Sequence, residues 1–327
     1  VLGQRDSGDL YRAGALSLRR NTFGISFADV DGDSDLDMFT AHWGFGQPAG
    51  GSVFWQNNGG DELNDAQDAF GLSDADGVSQ QYNFTPSFID VNDDGWQDLL
   101  LASDFGTSQA FENVENFGFR RFQQVLGGEG IITDQNGMGA VVGDYDNDGD
   151  PDWFVTSIYD ADATENGYWG STGNRLYRNN STYDDVSFED VTASAGVRDG
   201  AWGWGACMAD FNNDGWLDLF QENGFSYIPP EYAGFEPGGL AVSLYQDAAG
   251  KFAFSTPRLF INQGNGSGEV AFAEEATGWG IDYQSNGRAV LCLDYDRDGD
   301  IDVVTLDHSA QPRVLVNQVG RCLGRRY

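Results

Sequence analysis

The sequence predicts an all-β protein in which four-stranded antiparallel sheets are arranged as the blades of a β-propeller. Three observations support this prediction. A nine-residue aspartate-rich loop occurs five times, each copy lies between two short apolar runs, and each is followed by a second short motif that ends in asparagine. The copies begin 54 to 84 residues apart, and such long repeats suit a four-stranded blade better than a helical repeat.

The aspartate loops have the composition of a calcium site. Each copy places Asp or Asn at positions one, three, five and nine, and every copy except the first has glycine at position six, where Ser34 stands instead. Calcium takes six to eight oxygen ligands in flexible loops, and glycine permits the sharp turn. Asp and Gly are common in ordinary turns as well, but five copies of one ligand pattern argue against that reading. Strand-like flanks place each loop between two β-strands.

The predicted ligands are side-chain oxygens at positions one, three, five and nine and the backbone carbonyl at position seven. In chain order they are Asp29, Asp31, Asp33, Asp35, Asp37, Asp90, Asn92, Asp94, Trp96, Asp98, Asp144, Asp146, Asp148, Asp150, Asp152, Asp210, Asn212, Asp214, Trp216, Asp218, Asp294, Asp296, Asp298, Asp300 and Asp302. Up to five Ca²⁺ ions are therefore expected. The second and fourth loops carry Asn at position three and should bind more weakly, because ligand charge tunes affinity.

The second motif of each repeat predicts the third strand of a blade. Its copies occupy residues 53–57, 110–113, 176–179, 259–262 and 314–317. An aromatic strand often follows, so that one repeat reads strand, calcium loop, strand, connection, strand, turn, strand. A lone sheet of this kind would expose its edges and an apolar face, whereas a ring of blades buries them.

One domain covering residues 1–327 is expected, because the chain is long enough and apolar enough to bury a substantial core. The last repeat lacks a fourth strand, and residues 9–14 resemble the end of a repeat. We therefore expect an N-terminal strand to complete the last blade and close the ring. Five blades are favoured, with six or seven left open. A long inserted loop is expected at about 223–257 and a short tail at 318–327.

Charge and hydropathy restrict the partners and the compartment. The net charge of −35 argues against nucleic acid and anionic membranes as partners. No apolar run reaches the 18 residues of a membrane-spanning helix. The chain begins at Val1 without a signal sequence, which suggests a processed or trimmed chain. Calcium sites of this kind point to an extracellular, cell-surface or periplasmic location.

The three cysteines give a weaker signal. Cys207 and Cys292 lie in apolar runs just before the fourth and fifth loops and are interpreted as small buried apolar residues. A disulfide between Cys292 and Cys322 is the alternative. No CxxC motif is present, so no zinc ribbon is indicated.

The loops, each followed by a motif such as Leu176-Tyr-Arg-Asn179, resemble FG-GAP/VCBS repeats, the calcium-bearing blades of integrin-type propellers. The order of residues 205–215, 222–224 and 287–290 is similar to the cartilage acidic protein-like (ASPIC/UnbV) group, although Phe225 stands where that group has histidine. The resemblance implies a secreted or surface protein that binds other molecules on a calcium-stiffened scaffold. It does not fix the ligand.

The leading functional hypothesis is a non-catalytic extracellular module for protein interaction or surface assembly, with a protein partner or a second copy as its target. Possible glycan binding is the alternative, since exposed tryptophans could stack on sugars. The candidates are Trp43, Trp169, Trp202, Trp204 and Trp279. Aromatic residues between propeller blades are nevertheless more often core.

An enzyme of the lyase or dehydratase type is the third hypothesis. His42 and His308 are the only histidines, and with Asp307 they could form an acid–base pair or bind a metal if the first and last blades are neighbours. No hydrolase, phosphate-loop or metalloprotease motif is present, so we expect no enzymatic activity. Asn83, Asn180 and Asn265 begin possible N-glycosylation triplets.

Overall fold

A computed structural model describes residues 22–43, 51–59, 63–72, 82–114, 118–121, 132–163, 170–225, 250–253, 255–264, 270–308 and 310–322. Its regular structure is almost entirely β, in five antiparallel sheets that follow one another along the chain as the blades of a propeller. The predicted fold class is therefore confirmed. Within the described ranges, no helix has the length and apolar character needed to cross a membrane.

The blades use their strands in chain order. Blade 1 contains β1 (Thr22–Ala28), β2 (Asp37–His42), β3 (Val53–Asn57) and β4 (Leu63–Asp65). Blade 2 contains β5 (Asn83–Ile89), β6 (Asp98–Ser103), β7 (Gln109–Val114) and β8 (Gly118–Arg121). Blade 3 contains β9 (Ala140–Gly143), β10 (Asp152–Val155), β11 (Arg175–Asn179) and β12 (Phe188–Asp190). Blade 4 contains β13 (Gly203–Ala209), β14 (Asp218–Asn223), β15 (Arg258–Asn262) and β16 (Phe272–Glu274). Blade 5 contains β17 (Gly287–Leu293), β18 (Asp302–Asp307) and β19 (Arg313–Leu315).

Each aspartate loop joins the first and second strands of its blade, and each asparagine motif lies in or next to the third strand, as predicted. Short helices span Thr192–Ala195 and Val319–Cys322, and a 3₁₀ turn spans Ala276–Trp279. The predicted N-terminal strand at residues 9–14 lies outside the described residues, as does most of the predicted insertion at 223–257.

Apolar layers lie between consecutive blades, and strict alternation along the strands produces them. In β10, Trp153 points towards blade 2, where it packs in a cluster with Leu100, while Phe154 points towards blade 4 and packs with Leu219 and Phe260. Neighbouring residues of one strand therefore serve two different interfaces. Two-sided burial explains why these strands consist of nearly continuous apolar runs.

Glycine allows the first strands of adjacent blades to approach closely. A Cβ atom on Gly139 of blade 3 would collide with the carbonyl oxygen of Trp204 in blade 4, and one on Gly24 of blade 1 would collide with the carbonyl oxygen of Phe84 in blade 2. These glycines are therefore required by the packing of the inner strands rather than by turn geometry.

A disulfide joins Cys207 of β13 to Cys292 of β17, with their Cα atoms 6.3 Å apart and 85 residues between them in the sequence. The interpretation of these cysteines as unbonded apolar residues was wrong, and so was the alternative pairing of Cys292 with Cys322. The two sulfurs meet because Cys207 faces blade 5 while Cys292 faces blade 4. Predicting this pairing from the sequence would require knowing which strands are neighbours in the fold.

Candidate metal centres in the aspartate loops

All five loops share one backbone shape, which is set by left-handed residues at positions four and six. In the third loop these are Asn147, with φ of 57°, and Gly149, with φ of 102°. The first loop has the same pattern with the glycine moved, since Gly32 at position four has φ of 76° and Ser34 at position six has φ of 73°. The missing glycine at position six thus leaves the shape of the first loop unchanged and places Ser34 in a conformation that glycine adopts more easily.

Carboxylates inside each loop accept its backbone N–H groups. In the third loop, Asp144 accepts from the N–H of Asp148 at 3.1 Å and of Gly149 at 3.0 Å, and Asp148 accepts from the N–H of Asp150 at 3.0 Å. The equivalent bonds recur in the second, fourth and fifth loops. These bonds hold the side chains at positions one and five turned towards the inside of the loop.

The aspartate at position nine anchors the loop to the blade. Fully buried Asp152 accepts from the N–H of Tyr145 at 3.1 Å and from the N–H of Asn179, at the end of the third strand, at 2.9 Å. The same pair of bonds is made by the aspartate at position nine of every loop. One side chain therefore connects the loop, the second strand and the third strand.

The carboxylates converge in a way that fits a bound cation. Ligand atoms from Asp144, Asp146 and Asp152 lie within 4.8 Å of one another, and the same holds for a group in the first loop and a group in the fifth. The Oδ1 atom of Asp146 is buried and has no hydrogen-bond partner. An unpaired buried carboxylate oxygen is costly, and a hard cation such as Ca²⁺ would satisfy it with the oxygen ligands that calcium prefers.

Burial without a counter-cation disfavours the charged state of these groups. Desolvation, followed by the charges of Asp146 and Asp148, raises the pKa of Asp152 to about 8, although two N–H bonds oppose the shift. Desolvation likewise raises the pKa of Asp98 to about 7. The pKa of Asp146 rises to about 6 through desolvation and the charges of Asp148 and Asp144. A divalent cation at the centre of the loop would favour the ionised forms.

The second and fourth loops have asparagine at position three, as their sequences show. The Nδ2 atom of Asn92 lies 3.2 Å from Oδ2 of Asp94, and its buried Oδ1 atom has no hydrogen-bond partner. This amide oxygen is thus the atom available to a cation. At position seven, the backbone N–H of Trp96 donates to Asp94 at 2.9 Å. This bond does not use the backbone carbonyl of Trp96, which is the predicted ligand at this position.

Adjacent loops also contact one another. Asn147 Nδ2 of the third loop donates to the carbonyl of Gly215 in the fourth at 3.1 Å, and Asn213 Nδ2 of the fourth donates to Asp300 of the fifth at 2.9 Å. The candidate sites thus lie side by side along one end of the row of blades. Both contacts are made by the residue at position four of a loop. The identity of this residue differs from loop to loop, so the sequence gave no indication of this role.

A recurrent interblade hydrogen bond was missed by sequence reasoning, although the asparagine motif that makes it was noticed. In blades 2 to 5, the side-chain Nδ2 of the asparagine that ends the third-strand motif donates to the position-two carbonyl of the preceding blade's loop. The pairs are Asn113 to Val30 at 2.8 Å, Asn179 to Val91 at 2.7 Å, Asn262 to Tyr145 at 2.9 Å and Asn317 to Phe211 at 2.7 Å. We call this bond the asparagine latch. It couples each of the first four loops to the following blade as well as to its own.

The other predicted binding residues are less accessible than expected. Trp202 is buried and stacks on Phe225 with ring centroids 3.8 Å apart, and Trp279 packs against the core between blades 4 and 5. Trp43 and Trp204 are partly buried, and Trp169 lies outside the described residues.

The two histidines of the catalytic alternative, His42 and His308, lie at the ends of the second strands of blades 1 and 5. His42 is hydrogen-bonded through its ring to Thr22 at 3.1 Å and to Thr40 at 3.2 Å. The acidic groups of the described chain that could hold a metal come from the first, third and fifth loops and include neither histidine nor Asp307.

Among the possible glycosylation acceptors, Asn83 is fully buried and its amide donates to Ser52 at 2.7 Å, which makes it inaccessible in the folded chain. Asn180 is exposed, and Asn265 lies outside the described residues.

Two carboxylates outside the loops, buried Asp134 and partly buried Asp104, were also not predicted. Asp134 accepts from the hydroxyls of Ser108 at 2.7 Å and Tyr177 at 3.1 Å, and Asp104 accepts from Asn136 Nδ2 at 2.7 Å and from Trp43 Nε1 at 3.1 Å. Burial raises the pKa of both carboxyls. They belong to no repeated motif, so the sequence gave no signal for them.

Comparison with known proteins agrees with this architecture. The FG-GAP-like repeat family model matches residues 90–155, which contain the second and third loops. Cartilage acidic protein 1 from Mus musculus is 23% identical over 208 residues, covering 63% of this chain and 29% of the mouse protein. The Xenopus tropicalis protein of the same name is 25% identical over 187 residues, covering 55% of this chain and 26% of its own length. The aligned region is thus less than a third of either relative.

Two solved structures resemble the chain more distantly. One shows specific recognition of non-reducing terminal N-acetylglucosamine by an Agrocybe aegerita lectin, with 14% identity, a TM-score of 0.43 and coverage of 90% of this chain and 66% of the lectin. The other is the V. cholerae biofilm matrix protein Bap1, with 12% identity, a TM-score of 0.40 and coverage of 93% and 40%. Such values carry no argument about a ligand. The protein is thus a β-propeller of five aspartate-loop repeats, with an FG-GAP-like repeat at residues 90–155 and similarity to cartilage acidic protein 1.

Proposed function

We propose that this chain is an extracellular, non-catalytic interaction module whose aspartate loops bind calcium and thereby hold the blades rigid. The observation that carries the proposal is the third loop, where three carboxylates converge within 4.8 Å and one buried oxygen of Asp146 has no partner. Oxygen donors of this kind suit calcium better than softer metals.

Calcium would act on the whole structure because each loop is coupled to its neighbours. The aspartate at position nine fixes the third strand, and the asparagine at the end of that strand's motif latches to the preceding loop. A cation that orders one loop therefore orders two blades. For a single site filled at one hundred times its Kd, the expected stabilisation is about 2.7 kcal/mol.

The extracellular location is supported by two features. The Cys207–Cys292 disulfide is of a kind that persists in oxidising compartments. Weak calcium sites are filled at the millimolar concentrations typical of extracellular modules. A protein partner or a second copy is the proposed target, because the net charge of −35 disfavours nucleic acid and anionic membranes.

Thermal melts in millimolar calcium and in EGTA test the calcium-binding part of this proposal. The melting temperature should fall in chelator, and a calorimetric titration should give up to five bound ions. Asp146→Asn should reduce the gain from calcium, because it removes a charged ligand, whereas Asp282→Asn, which removes an exposed aspartate outside the loops, should leave it intact. A melting temperature unaffected by chelator would refute calcium stabilisation.

Carbohydrate binding is a second candidate, favoured by an aromatic group at the opposite end of the blades. Trp43 lies 6.0 Å from Tyr82 between ring centroids, and Tyr82 lies 4.9 Å from the exposed ring of Phe105. Asp104 beside them could accept a sugar hydroxyl. A glycan array run with the wild type, Trp43→Ala and the core-facing control Trp279→Ala tests this candidate. Loss of a specific signal in Trp43→Ala alone would support it, and no signal from folded wild type would reject it.

A further inference from the structure

The residue just before each third-strand asparagine lies next to the loop of its own blade. In blade 1, Gln56 Nε2 donates to Oδ2 of Asp31, the aspartate at position three of the first loop, at 2.6 Å. The backbone N–H of the following asparagine donates to the position-nine aspartate in every blade, which gives this place the same setting throughout. Its occupants in chain order are Gln56, Glu112, Arg178, Ile261 and Val316. A charge at this place therefore lies beside a predicted calcium ligand.

Blades 2 and 3 carry ion pairs of opposite orientation at this place. In blade 2, Glu112 on β7 accepts from Nε of its cross-strand neighbour Arg120 on β8 at 3.0 Å. In blade 3, Arg178 on β11 pairs with its cross-strand neighbour Glu189 on β12. The partners on the fourth strands, Arg120 and Glu189, have side chains that are 68% and 54% exposed. Those on the third strands, Glu112 and Arg178, are only 14% and 28% exposed. Because solvent screens the exposed partner more strongly, the charge felt by the loop is negative in blade 2 and positive in blade 3.

Arg178 has an unused donor next to a loop with an unused acceptor. Its Nη2 atom bonds to Glu189, but its Nε atom is buried and has no hydrogen-bond partner. The Oδ1 atom of Asp146, at position three of the third loop, is likewise buried and unpartnered. Desolvation raises the pKa of Asp146, and the charge of Arg178 opposes that rise, so the two charges act on each other. The third loop thus has a fixed positive charge beside its position-three carboxylate.

We propose that Arg178 is a built-in cation of the third loop, which lowers the calcium affinity of that loop and makes blade 3 less dependent on calcium. This inference rests on the proposed calcium binding and names a residue that regulates it. A positive charge beside the site stabilises the carboxylates when no ion is bound, and it repels a divalent cation that enters. The two effects are coupled, because an interaction that favours the ion-free loop reduces the free energy gained on binding by the same amount.

The charge of the ion pair changes the ranking of the loops. Loop composition alone places the second loop below the third, because Asn92 stands where the third loop has Asp146. The side chains at positions one, three, five and nine carry a formal charge of −3 in the second loop and −4 in the third. Glu112 brings the second loop to −4, and Arg178 brings the third to −3. Since ligand charge tunes calcium affinity, the nearby third-strand residue offsets the difference between the two loops.

A calcium titration followed by NMR, with ¹⁵N-labelled glycine as the probe, tests the proposal site by site. Gly149 lies at position six of the third loop, and Gly299 lies at the same position of the fifth loop, so their amide signals report on separate sites. Arg178→Gln copies the glutamine of blade 1 and keeps a hydrogen-bond donor. This variant should lower the Kd for calcium read at Gly149 by at least about threefold, while the Kd read at Gly299 stays the same.

Reversing the ion pair provides the sharper test. The double variant Arg178→Glu with Glu189→Arg keeps the pair and the net charge but gives blade 3 the orientation of blade 2. Its Kd at Gly149 should fall by about tenfold or more relative to the wild type. The control Arg198→Gln removes one positive charge at an exposed arginine in the connection between blades 3 and 4, and it should leave the Kd at Gly149 unchanged. An unchanged Kd at Gly149 in both Arg178 variants would overturn the proposal.

Thermal melts separate regulation of the site from a purely structural role of Arg178. In EGTA, Arg178→Gln should melt at a lower temperature than the wild type, because the ion-free loop loses its built-in cation. Its gain in melting temperature from calcium should be larger than that of the wild type. An arginine with only a structural role would lower both melting temperatures equally, and that result would also overturn the proposal.

The two proposals can fail separately. If calcium shifts the Gly149 signal at the same concentration in the wild type and in every variant, calcium binding stands and the role of Arg178 is refuted. If calcium shifts none of the loop glycines of the folded wild type, the proposed calcium binding fails and the inference about Arg178 fails with it.

Discussion

Replacing Asn179 with alanine tests the asparagine latch directly. The substitution removes the bond from Asn179 Nδ2 to the buried Val91 carbonyl at 2.7 Å and the bond from the Ser181 N–H to Asn179 Oδ1 at 2.9 Å. A buried acceptor left without a donor costs about 1–3 kcal/mol, and the second bond contributes about 0.5–1.5 kcal/mol. The free energy of unfolding should therefore fall by about 1.5–4.5 kcal/mol.

Asn57→Ala is the matched control, because this asparagine occupies the same place in its repeat. Its bonds, to the Leu36 carbonyl at 3.3 Å and from the Gly59 N–H at 3.2 Å, are exposed. Exposed bonds of this kind contribute little, so its loss should cost at most about 1 kcal/mol. Urea unfolding in calcium measures the free energy of unfolding of both variants. If the two substitutions lower the unfolding midpoint equally, the latch does not stabilise the joint between blades.

Three further predictions concern the Cys207–Cys292 disulfide, the buried aspartates at position nine of the loops, and Ser34 in the first loop. The Cys207–Cys292 disulfide closes a loop of 85 residues, and its reduction should lower the free energy of unfolding by up to about 4–5 kcal/mol on the chain-entropy model. Thermal melts with and without reductant measure this loss. Peptide mapping of the unreduced chain should recover the cross-linked pair. In chelator, stability should fall as pH rises from about 4 towards 8, because folded Asp152 and Asp98, with pKa values raised to about 8 and 7, retain protons that the unfolded chain releases. Melts across that pH range should lose or reverse this slope in calcium. Ser34→Gly should raise the stability by about 0.5–1 kcal/mol by relieving a left-handed serine, and chemical denaturation checks the sign.

Most of the fold and of the candidate sites could be read from local sequence. The loops are local motifs whose ligands are fixed by spacing within nine residues, so the loop positions, the strands on either side and the third-strand motif were predictable. The role of the asparagine in that motif was not, because its side chain bonds to a loop 83 residues away in the case of Asn113 and 117 residues away in the case of Asn262.

The cysteines show the same limit. Cys207 and Cys292 are bonded because their strands belong to adjacent blades and face each other, and no local pattern records that. Tryptophans suggested as sugar platforms proved to be partly or fully buried, because a side chain's exposure depends on which blade covers it.

By itself, the sequence determined the repeat, the ligand-bearing loops and the blade architecture, because each depends on residues close together in the chain. Only the tertiary structure decided which strands face one another. From that followed the disulfide and the latches. The physical reason is that alternation along a strand assigns each side chain to a face, but only the packing of the blades determines what that face meets.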